Sequence, residues 1–296
     1  SWFRWRQAPT GQEAMHAGLN RPDNQPAAAW PEVAALSAGL ATLGPLPKRG
    51  RSDVALMFDY DSMWAVQSQP QGRDQDALAT AMAWHTAARR LGLSVDIVAP
   101  DADFSGYALL LLPGQIVLDA ALAQRLASSG ATVLAGPRTG SKTRDFAIPA
   151  TLPPDGLQAL IDVTVARVES LPPGIVLSVG NGGQVTGWME DVEAGAAVET
   201  RLALDDGRGL WFAHDKAHYL AGQTDDGLLR RVLTEIAVAA GLHPRDLGPD
   251  VRVERRGTLN FLFNYGPQAV AIEERVVIGS KLVPPAGVAI WKDEAP

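Results

Sequence analysis

Two residues suited to binding chemistry stand close together near the start of the chain, where Glu13 precedes His16 by three positions. If this turn is helical, the carboxylate and the imidazole share one face. In the segment before them, residues 2–7, Arg4 and Arg6 alternate with aromatic residues, so a strand would present guanidinium groups on one face and aromatic rings on the other. This combination favours a polyhydroxylated ligand, because polar groups bind hydroxyls and an indole covers an apolar sugar face.

The spacing of Glu13 and His16 has two other interpretations. The first is an exposed ion pair at the start of a helix. The second is a metal site, because Glu-x-x-His occurs in carboxylate-bridged metal centres of helical bundles. Those centres need a second such motif, and the sequence has none. We therefore expect no metal and no cofactor.

Four segments carry a resemblance to a known family. They read F-R-W-R-Q-x-P-x-G-x-E-x-x-H-x-G from Phe3 to Gly18, D-Y-D-S-x-W from Asp59, G-P-R-T-G-S-K-T from Gly136, and F-x-F-N-Y from Phe261. Together they resemble glycoside hydrolase family 42, the β-galactosidases, over nearly the whole chain. The resemblance implies that Glu13 and His16 bind galactose hydroxyls at the open end of a catalytic barrel.

The resemblance also implies what the chain contributes. We expect the C-terminal part of a retaining β-galactosidase, which forms a homotrimer and supplies one edge of the galactose site. The family's two catalytic glutamates lie upstream of the first motif, so we expect the chain alone to hydrolyse no galactoside. The galactoside would bind through the barrel of the parent enzyme. An alternative function is a stand-alone α/β module that binds a sugar or a phosphate.

Composition excludes several other classes of protein. The formal net charge of −7 and the pI of about 5.3 argue against a nucleic-acid partner, because no basic stripe offsets the acidic balance. The sequence contains no cysteine, which excludes disulfides and thiol nucleophiles. No apolar run approaches the roughly 18 residues that a membrane span needs. We expect no membrane partner and a cytoplasmic location.

From residue 53 onwards, apolar strands alternate with helical segments, which predicts an α/β fold with a doubly wound, mainly parallel sheet. The predicted strands cover residues 54–58, 94–98, 107–112 and 131–135. The predicted helices cover residues 74–91, 117–129 and 225–240. The resemblance implies a fold like that of class I glutamine amidotransferases, followed by a small antiparallel β domain.

The resemblance, taken together with these patterns, implies three domains. Residues 1–45 correspond to the end of the catalytic (β/α)8 barrel and a linker. Residues 46–247 correspond to the α/β trimerisation domain. Residues 248–296 correspond to the C-terminal β domain, in which short strands alternate with glycine- and proline-rich turns.

The loop after the first predicted strand is a candidate site because ligands of such sheets bind beyond the carboxyl ends of the strands. It contains Asp59, Asp61 and Trp64. If the chain forms a trimer, we expect this loop to reach over the barrel mouth of a neighbouring subunit. The alternative is structural: a capped helix start followed by a tryptophan in the core.

Two further segments invite a chemical interpretation. The loop after the fourth strand, residues 136–143, resembles a phosphate loop, but Ser141 separates its glycine from its lysine and no helix start follows. We therefore interpret Arg138 as an interface or solvated charge. The group His214, Asp215 and His218 suggests a metal or catalytic site, or else paired strands with the polar residues facing outward.

Overall fold

The computed structural model describes residues 2–180 and 182–293. It divides into two compact units, and the division falls between Arg49 and Gly50. The sequence-based boundaries after residues 45 and 247 stay predictions. Within the described residues, no helix combines the length and the apolar character that crossing a bilayer requires.

The first unit contains a 3-10 helix, Gln12–Met15, and helix α1, Trp30–Leu43. Pro31 lies in the first turn of α1, where its missing N–H costs no hydrogen bond. The strand predicted over residues 2–7 is wrong. Arg4 has a φ of 59°, so the chain bends at this residue and the alternation of faces is lost.

The second unit contains the remaining helices and all of the strands of the described residues. Its helices are α2 (Tyr60–Ser68), α3 (Ala77–Arg90), α4 (Ala120–Ser128) and α5 (Asp226–Ala239). Its strands up to residue 203 are β1 (Val54–Met57), β2 (Val95–Val98), β3 (Leu109–Leu112), β4 (Thr132–Ala135), β5 (Val163–Ser170), β6 (Val176–Ser178), β7 (Gln184–Ala194) and β8 (Glu199–Ala203). The later strands are β9 (Gly209–His214), β10 (Ala217–Leu220), β11 (Gly222–Thr224), β12 (Val251–Arg256), β13 (Leu259–Asn264), β14 (Val270–Ala271), β15 (Val276–Ile278), β16 (Leu282–Val283) and β17 (Val288–Lys292).

The main sheet is mixed and has the strand order β2-β1-β3-β4-β10-β9-β8. Strands β1 to β4 and β10 are parallel, whereas β9 and β8 continue the sheet in antiparallel fashion. The crossovers from β1 to β2 and from β3 to β4 run in opposite directions along the sheet. Right-handed crossovers therefore put α3 and α4 on opposite faces, which agrees with the predicted double winding.

The apolar runs explain why the central strands form. All four residues of β1, β3 and β4 are buried, as expected of parallel strands that are covered on both faces. They belong to one large apolar core that also includes the buried side of α5, with Leu229, Val232 and Leu233. The core holds the carboxyl ends of β1, β3 and β4 in register beside one another.

Among the described residues, three smaller antiparallel sheets complete the second unit. One has the order β11-β7-β5, with β6 added to β7, and the others are β12-β13-β17-β15 and β14-β16. The C-terminal strands enclose an apolar cluster of their own, which includes Val251, Leu262 and Val283. The prediction of an antiparallel region after residue 250 is confirmed, although the sequence did not indicate the short strands β15 and β16.

Gly140 offers a test of how tightly the loop after β4 is built. Both Gly140 and Gly130 have a positive φ, but a Cβ on Gly140 would lie 2.5 Å from the carbonyl oxygen of Asp155, whereas a Cβ on Gly130 meets nothing within 4 Å. We expect Gly130→Ala to cost only the backbone penalty of about 1–2 kcal/mol. Gly140→Ala should cost at least about 2 kcal/mol more, because backbone must move. Urea denaturation of both variants measures the difference, and an equal loss would contradict the close approach.

Candidate functional site

Glu13 lies in the 3-10 helix of the first unit and forms an ion pair with Arg4. Nη2 of Arg4 is 2.9 Å from Oε2 of Glu13, and Nη1 donates to the Glu13 carbonyl oxygen at 3.3 Å. The bend at Arg4 brings these groups together, so the pairing arises from a left-handed residue and not from the predicted strand. One oxygen of the Glu13 carboxylate is therefore fixed in place beside a cation.

His16 follows the 3-10 helix directly and is exposed, as is Glu13. Its ring meets the ring of Phe3 edge to face, with the centroids 5.6 Å apart. The side chains of Trp2, Phe3 and Trp5 are 55%, 65% and 62% exposed. The first unit thus presents a carboxylate, an imidazole and aromatic rings on its surface.

Asp59 caps α2, as the structural alternative predicted. Its carboxylate accepts hydrogen bonds from the backbone N–H groups of Asp61 and Ser62, each at 3.1 Å. It also accepts from Oγ of Ser62 at 2.7 Å and from Nε2 of the buried Gln115 at 2.9 Å. These bonds attach the start of α2 to the loop after β3. The carboxylate is therefore committed to holding the helix in place.

The position of Trp64 differs from the structural alternative given for this loop, which predicted a tryptophan in the core. It is 51% exposed, and Tyr60, one turn earlier on α2, is 62% exposed. Their ring centroids are 6.0 Å apart, and the ring of Tyr60 meets that of Phe58 edge to face at 5.4 Å. The buried residues of α2, Ser62, Ala65 and Val66, occupy the other face. Helix α2 therefore presents an aromatic pair to solvent, which we call the α2 aromatic pair.

Asp61 is the third residue of that predicted loop. Its side chain is 44% exposed, and Oδ2 lies 4.0 Å from Nη1 of Arg144. This long ion pair in solvent contributes little to stability. Of the three predicted residues, Asp61 and Trp64 remain accessible, whereas Asp59 is engaged.

Arg138 contradicts its interpretation as an interface or solvated charge, because it is only 7% exposed. Its guanidinium donates to the carbonyl oxygens of Gln69 and Pro70, each at 3.2 Å, and lies 4.7 Å from the centroid of the Trp188 ring. The sequence alone does not reveal this burial, because the loop 136–143 reads as polar and glycine-rich. Arg138 thus fixes the segment that follows α2.

Glu190, on β7, is a buried group that sequence reasoning missed. Its carboxyl group accepts from the backbone N–H of Arg138 at 2.8 Å, from Nε1 of Trp188 at 3.0 Å and from the hydroxyl of Tyr219 at 2.7 Å. Burial raises the pKa of the Glu190 carboxyl, although the hydrogen bonds oppose this shift. A glutamate in a strand of mixed polarity gives no sequence signal of such an environment.

A narrow cleft with a volume of about 40 Å³ lies at the carboxyl ends of β1, β3 and β4, where the fold class leads one to expect a ligand. Asp59, Gln115 and Arg138 contribute to its lining. Asp59 and Gln115 bind each other, and Arg138 binds backbone carbonyl groups. These three polar groups are therefore used for packing within the fold.

The His214, Asp215 and His218 segment forms the β9–β10 hairpin, so the predicted strand pairing is confirmed. The expectation that its polar residues face outward is wrong for His218, which is 6% exposed beside the Trp211 ring. Burial, assisted by the nearby charge of Arg201, lowers the pKa of His218 to about 4. Over residues 2–180 and 182–293, no group of three or more histidine, aspartate and glutamate side chains could hold a metal ion.

These features define an α/β domain whose buried polar groups serve its architecture and whose helix α2 exposes aromatic rings. Residues 52–243 match the family model of the β-galactosidase trimerisation domain. The chain belongs to this family, glycoside hydrolase family 42, and corresponds to a C-terminal part of its β-galactosidases.

Relatives and solved structures agree with this assignment. A β-galactosidase of Thermus thermophilus is 41% identical over 301 residues, covering 99% of this chain and 46% of the relative. The crystal structure of the β-galactosidase from the psychrophilic Marinomonas ef1 superimposes with a TM-score of 0.92 at 38% identity, over 99% of this chain and 46% of that one. The enzyme from the haloarchaeon Halorubrum lacusprofundi gives 0.88 at 30% identity, over 99% and 47%. The chain thus spans less than half the length of these relatives.

His218 makes the stability of the fold depend on pH. Its pKa falls from the ordinary 6.5 to about 4 in the fold, so only the unfolded chain binds a proton between these values. Stability is therefore lost as the pH falls from 6.5 to 4, by about 3 kcal/mol at about 1.4 kcal/mol per pH unit. Glutamine does not titrate in this range, so the unfolding free energy of His218→Gln should rise by about this amount relative to that of the parent between pH 7 and pH 4. Urea denaturation at the two pH values measures the change. Leu220→Ala is a buried control without a titratable group, and its loss of unfolding free energy should be the same at pH 7 and pH 4. If the effect of His218→Gln is also independent of pH, His218 is not the source of the pH dependence.

Proposed function

We propose that this chain is the self-association and accessory part of a retaining β-galactosidase and that it forms a homotrimer. The observation that carries the proposal is the match of residues 52–243 to the trimerisation domain, combined with the exposed α2 aromatic pair within that range. Aromatic residues are enriched in the buried centres of protein interfaces, where they contribute much of the binding energy. An aromatic pair on a rigid, capped helix suits that role.

The α2 aromatic pair is the proposed contact with a neighbouring subunit. Asp59 fixes the start of α2, and Arg138 fixes the segment after its end, so both ends of the helix are anchored. Trp64 then meets the neighbour without a large loss of conformational freedom. In this proposal Trp64 and Asp61 reach the mouth of the neighbour's barrel, while Asp59 supports them from below.

We propose that Glu13 and His16 form one edge of the galactose site of the parent enzyme. The ion pair with Arg4 fixes the Glu13 carboxylate, which keeps acceptor positions free for sugar hydroxyls. His16 adds a group that donates or accepts according to its tautomer. The exposed rings of Trp2, Phe3 and Trp5 are suited to cover an apolar sugar face or a barrel wall.

Retaining hydrolysis requires two carboxyl groups roughly 5–5.5 Å apart that flank the glycosidic bond. We propose that neither of them belongs to this chain and that the chain alone is inactive. Glu190, the most buried carboxyl group described above, is bonded to Arg138, Trp188 and Tyr219 and has no access to a substrate. Support also comes from the relatives, more than half of whose length lies outside the match.

The fold relationship, the separate C-terminal domain and the location of the protein are further proposals. The order β2-β1-β3-β4 supports a relationship of the α/β part to class I glutamine amidotransferases, without their thiol chemistry because the sequence has no cysteine. The separate apolar cluster after residue 250 supports a distinct C-terminal β domain. The cytoplasmic location rests on the sequence composition. The alternative function, a stand-alone binding module, has little support. In the cleft that it would use, Asp59 and Gln115 bind each other and Arg138 binds backbone carbonyl groups.

Trp64→Ser tests the proposed subunit contact. If Trp64 lies near the centre of an interface, its loss should weaken association by about 2 kcal/mol or more, which is about a 30-fold rise in the dissociation constant. Sedimentation velocity over a dilution series measures this change. The matched control is Tyr265→Ser, because Tyr265 is an even more accessible aromatic residue, 71% exposed against 51% for Trp64, and lies outside residues 52–243.

The fold of both variants is checked by far-UV circular dichroism and thermal unfolding. The proposal predicts dissociation of Trp64→Ser at concentrations where Tyr265→Ser keeps the parent mass. If both variants retain the parent mass throughout the dilution series, α2 is not part of the interface. If the chain forms a trimer in which α2 makes no contact, the family assignment still holds. Only the proposed role of Trp64 as a subunit contact would then be wrong.

A further inference from the structure

Helix α3 presents an apolar surface to solvent. Its first eight residues, 77–84, read A-L-A-T-A-M-A-W and include no charged side chain. Leu78 and Met82, one turn apart, are 50% and 51% exposed, and Ala79 and Ala83 beside them are exposed as well. Soluble helices usually carry charged or polar residues on the face that meets water. This surface, which we call the α3 apolar face and define by these four residues, is therefore suited to being covered.

The helix that carries the α3 apolar face lies beside the helix that carries the α2 aromatic pair. Ala77, the first residue of α3, packs against the apolar cluster that contains Ala65 and Val66 of α2. The two helices are therefore neighbours, and each of them turns other apolar side chains outward. Both helices lie within residues 52–243, the range that matches the trimerisation domain. One domain thus carries two exposed apolar surfaces on adjacent helices, one aromatic and one aliphatic.

A homotrimer with threefold symmetry needs two different contact surfaces on each subunit. Its interfaces are head to tail, so a surface on one subunit meets a different surface on the next. Each subunit fills one third of the ring, so its two contact surfaces lie on adjoining sides and converge at the threefold axis. The α2 aromatic pair supplies one such surface. The α3 apolar face, on the neighbouring helix, can supply the other.

The side chains of the two surfaces are complementary. Tyr60 and Trp64 are four residues apart and form a ridge along α2, as do Leu78 and Met82 along α3. The alanine side chains beside the second ridge leave a groove, and helices pack by placing ridges into such grooves. Methionine adapts its shape to an aromatic ring, and its sulfur makes favourable contacts with the ring edge. The aromatic ridge of one subunit therefore suits the α3 apolar face of another.

We propose that the α3 apolar face is the surface on which the α2 aromatic pair of the neighbouring subunit packs. The partner is thus a second copy of this chain. This inference rests on the proposed homotrimer and adds the complementary side of its interface. A ring has two faces, so in the parent enzyme the α2 aromatic pair lies between the neighbour's α3 and the mouth of the neighbour's barrel. The competing explanation is that the part of the parent enzyme outside this chain covers α3.

Cross-linking of single-cysteine variants tests this contact, because the sequence contains no cysteine of its own. Gln67→Cys places a thiol on α2 three residues after Trp64, and Ala83→Cys places one on the α3 apolar face; both positions are exposed. The two variants of the full 296-residue chain are co-expressed with different affinity tags, purified through both tags and treated with a short bismaleimide. Each chain carries one thiol, so every cross-link joins two chains. We expect several-fold more cross-linked dimer from the mixture than from either variant alone.

The matched control pairs Gln67→Cys with Ala239→Cys, the same change at an exposed position of α5. This mixture should give no more cross-linked dimer than Gln67→Cys alone. Light scattering gives the mass of the parent chain and of each mixture. If these samples are trimeric and the Ala83→Cys mixture yields no more dimer than the control, the α3 contact is wrong while the proposed homotrimer stands. If the parent chain is monomeric, both the homotrimer and the α3 contact are wrong.

Discussion

The buried carboxyl group of Glu190 joins the parts of the second unit that the proposed function needs. Two of its three hydrogen bonds connect β7 to β10 through Tyr219 and to the loop after β4 through the backbone of Arg138, and the third, from Trp188, lies within β7. The side chain of Arg138 then carries the connection to Gln69 and Pro70, directly after α2. A buried carboxyl group is costly unless it is fully hydrogen-bonded, and here two of the bonds also fix segments outside β7. The position of Trp64 therefore depends on a network that begins in the core.

This arrangement explains why residues that look chemical in the sequence are structural in the fold. Asp59, Gln115 and Arg138 lie at the carboxyl ends of parallel strands, where α/β proteins commonly bind ligands. Here Asp59 binds the N-terminus of α2 and the side chain of Gln115, and Arg138 binds backbone carbonyl groups. The position that serves catalysis or binding in other α/β folds is used in this one to anchor a helix. That helix presents aromatic rings outward.

Much of the fold follows from the sequence, because the buried strands are short apolar runs bounded by turn residues. The strands at residues 54–57 and 109–112 were predictable for that reason. Helix α2 was harder, because the segment from Tyr60 to Ser68 is polar and weakly periodic, and its existence depends on the cap at Asp59. The exposure of Trp64 and the burial of Arg138 and His218 were not predictable, because they depend on which segments pack against these residues. Arg4 shows the same limit, since one left-handed residue replaced a predicted strand.

Self-association of this chain through its trimerisation domain is the property on which the proposed function rests. The most direct test is the molar mass of the 296-residue chain by light scattering during size-exclusion chromatography, with the intact mass measured on the same peak. One chain has a mass of 31.4 kDa. The account predicts 3 × 31.4 ≈ 94 kDa for the main peak. A main peak near 31 kDa at every concentration tested would contradict it, because association would then require surfaces that these residues do not provide.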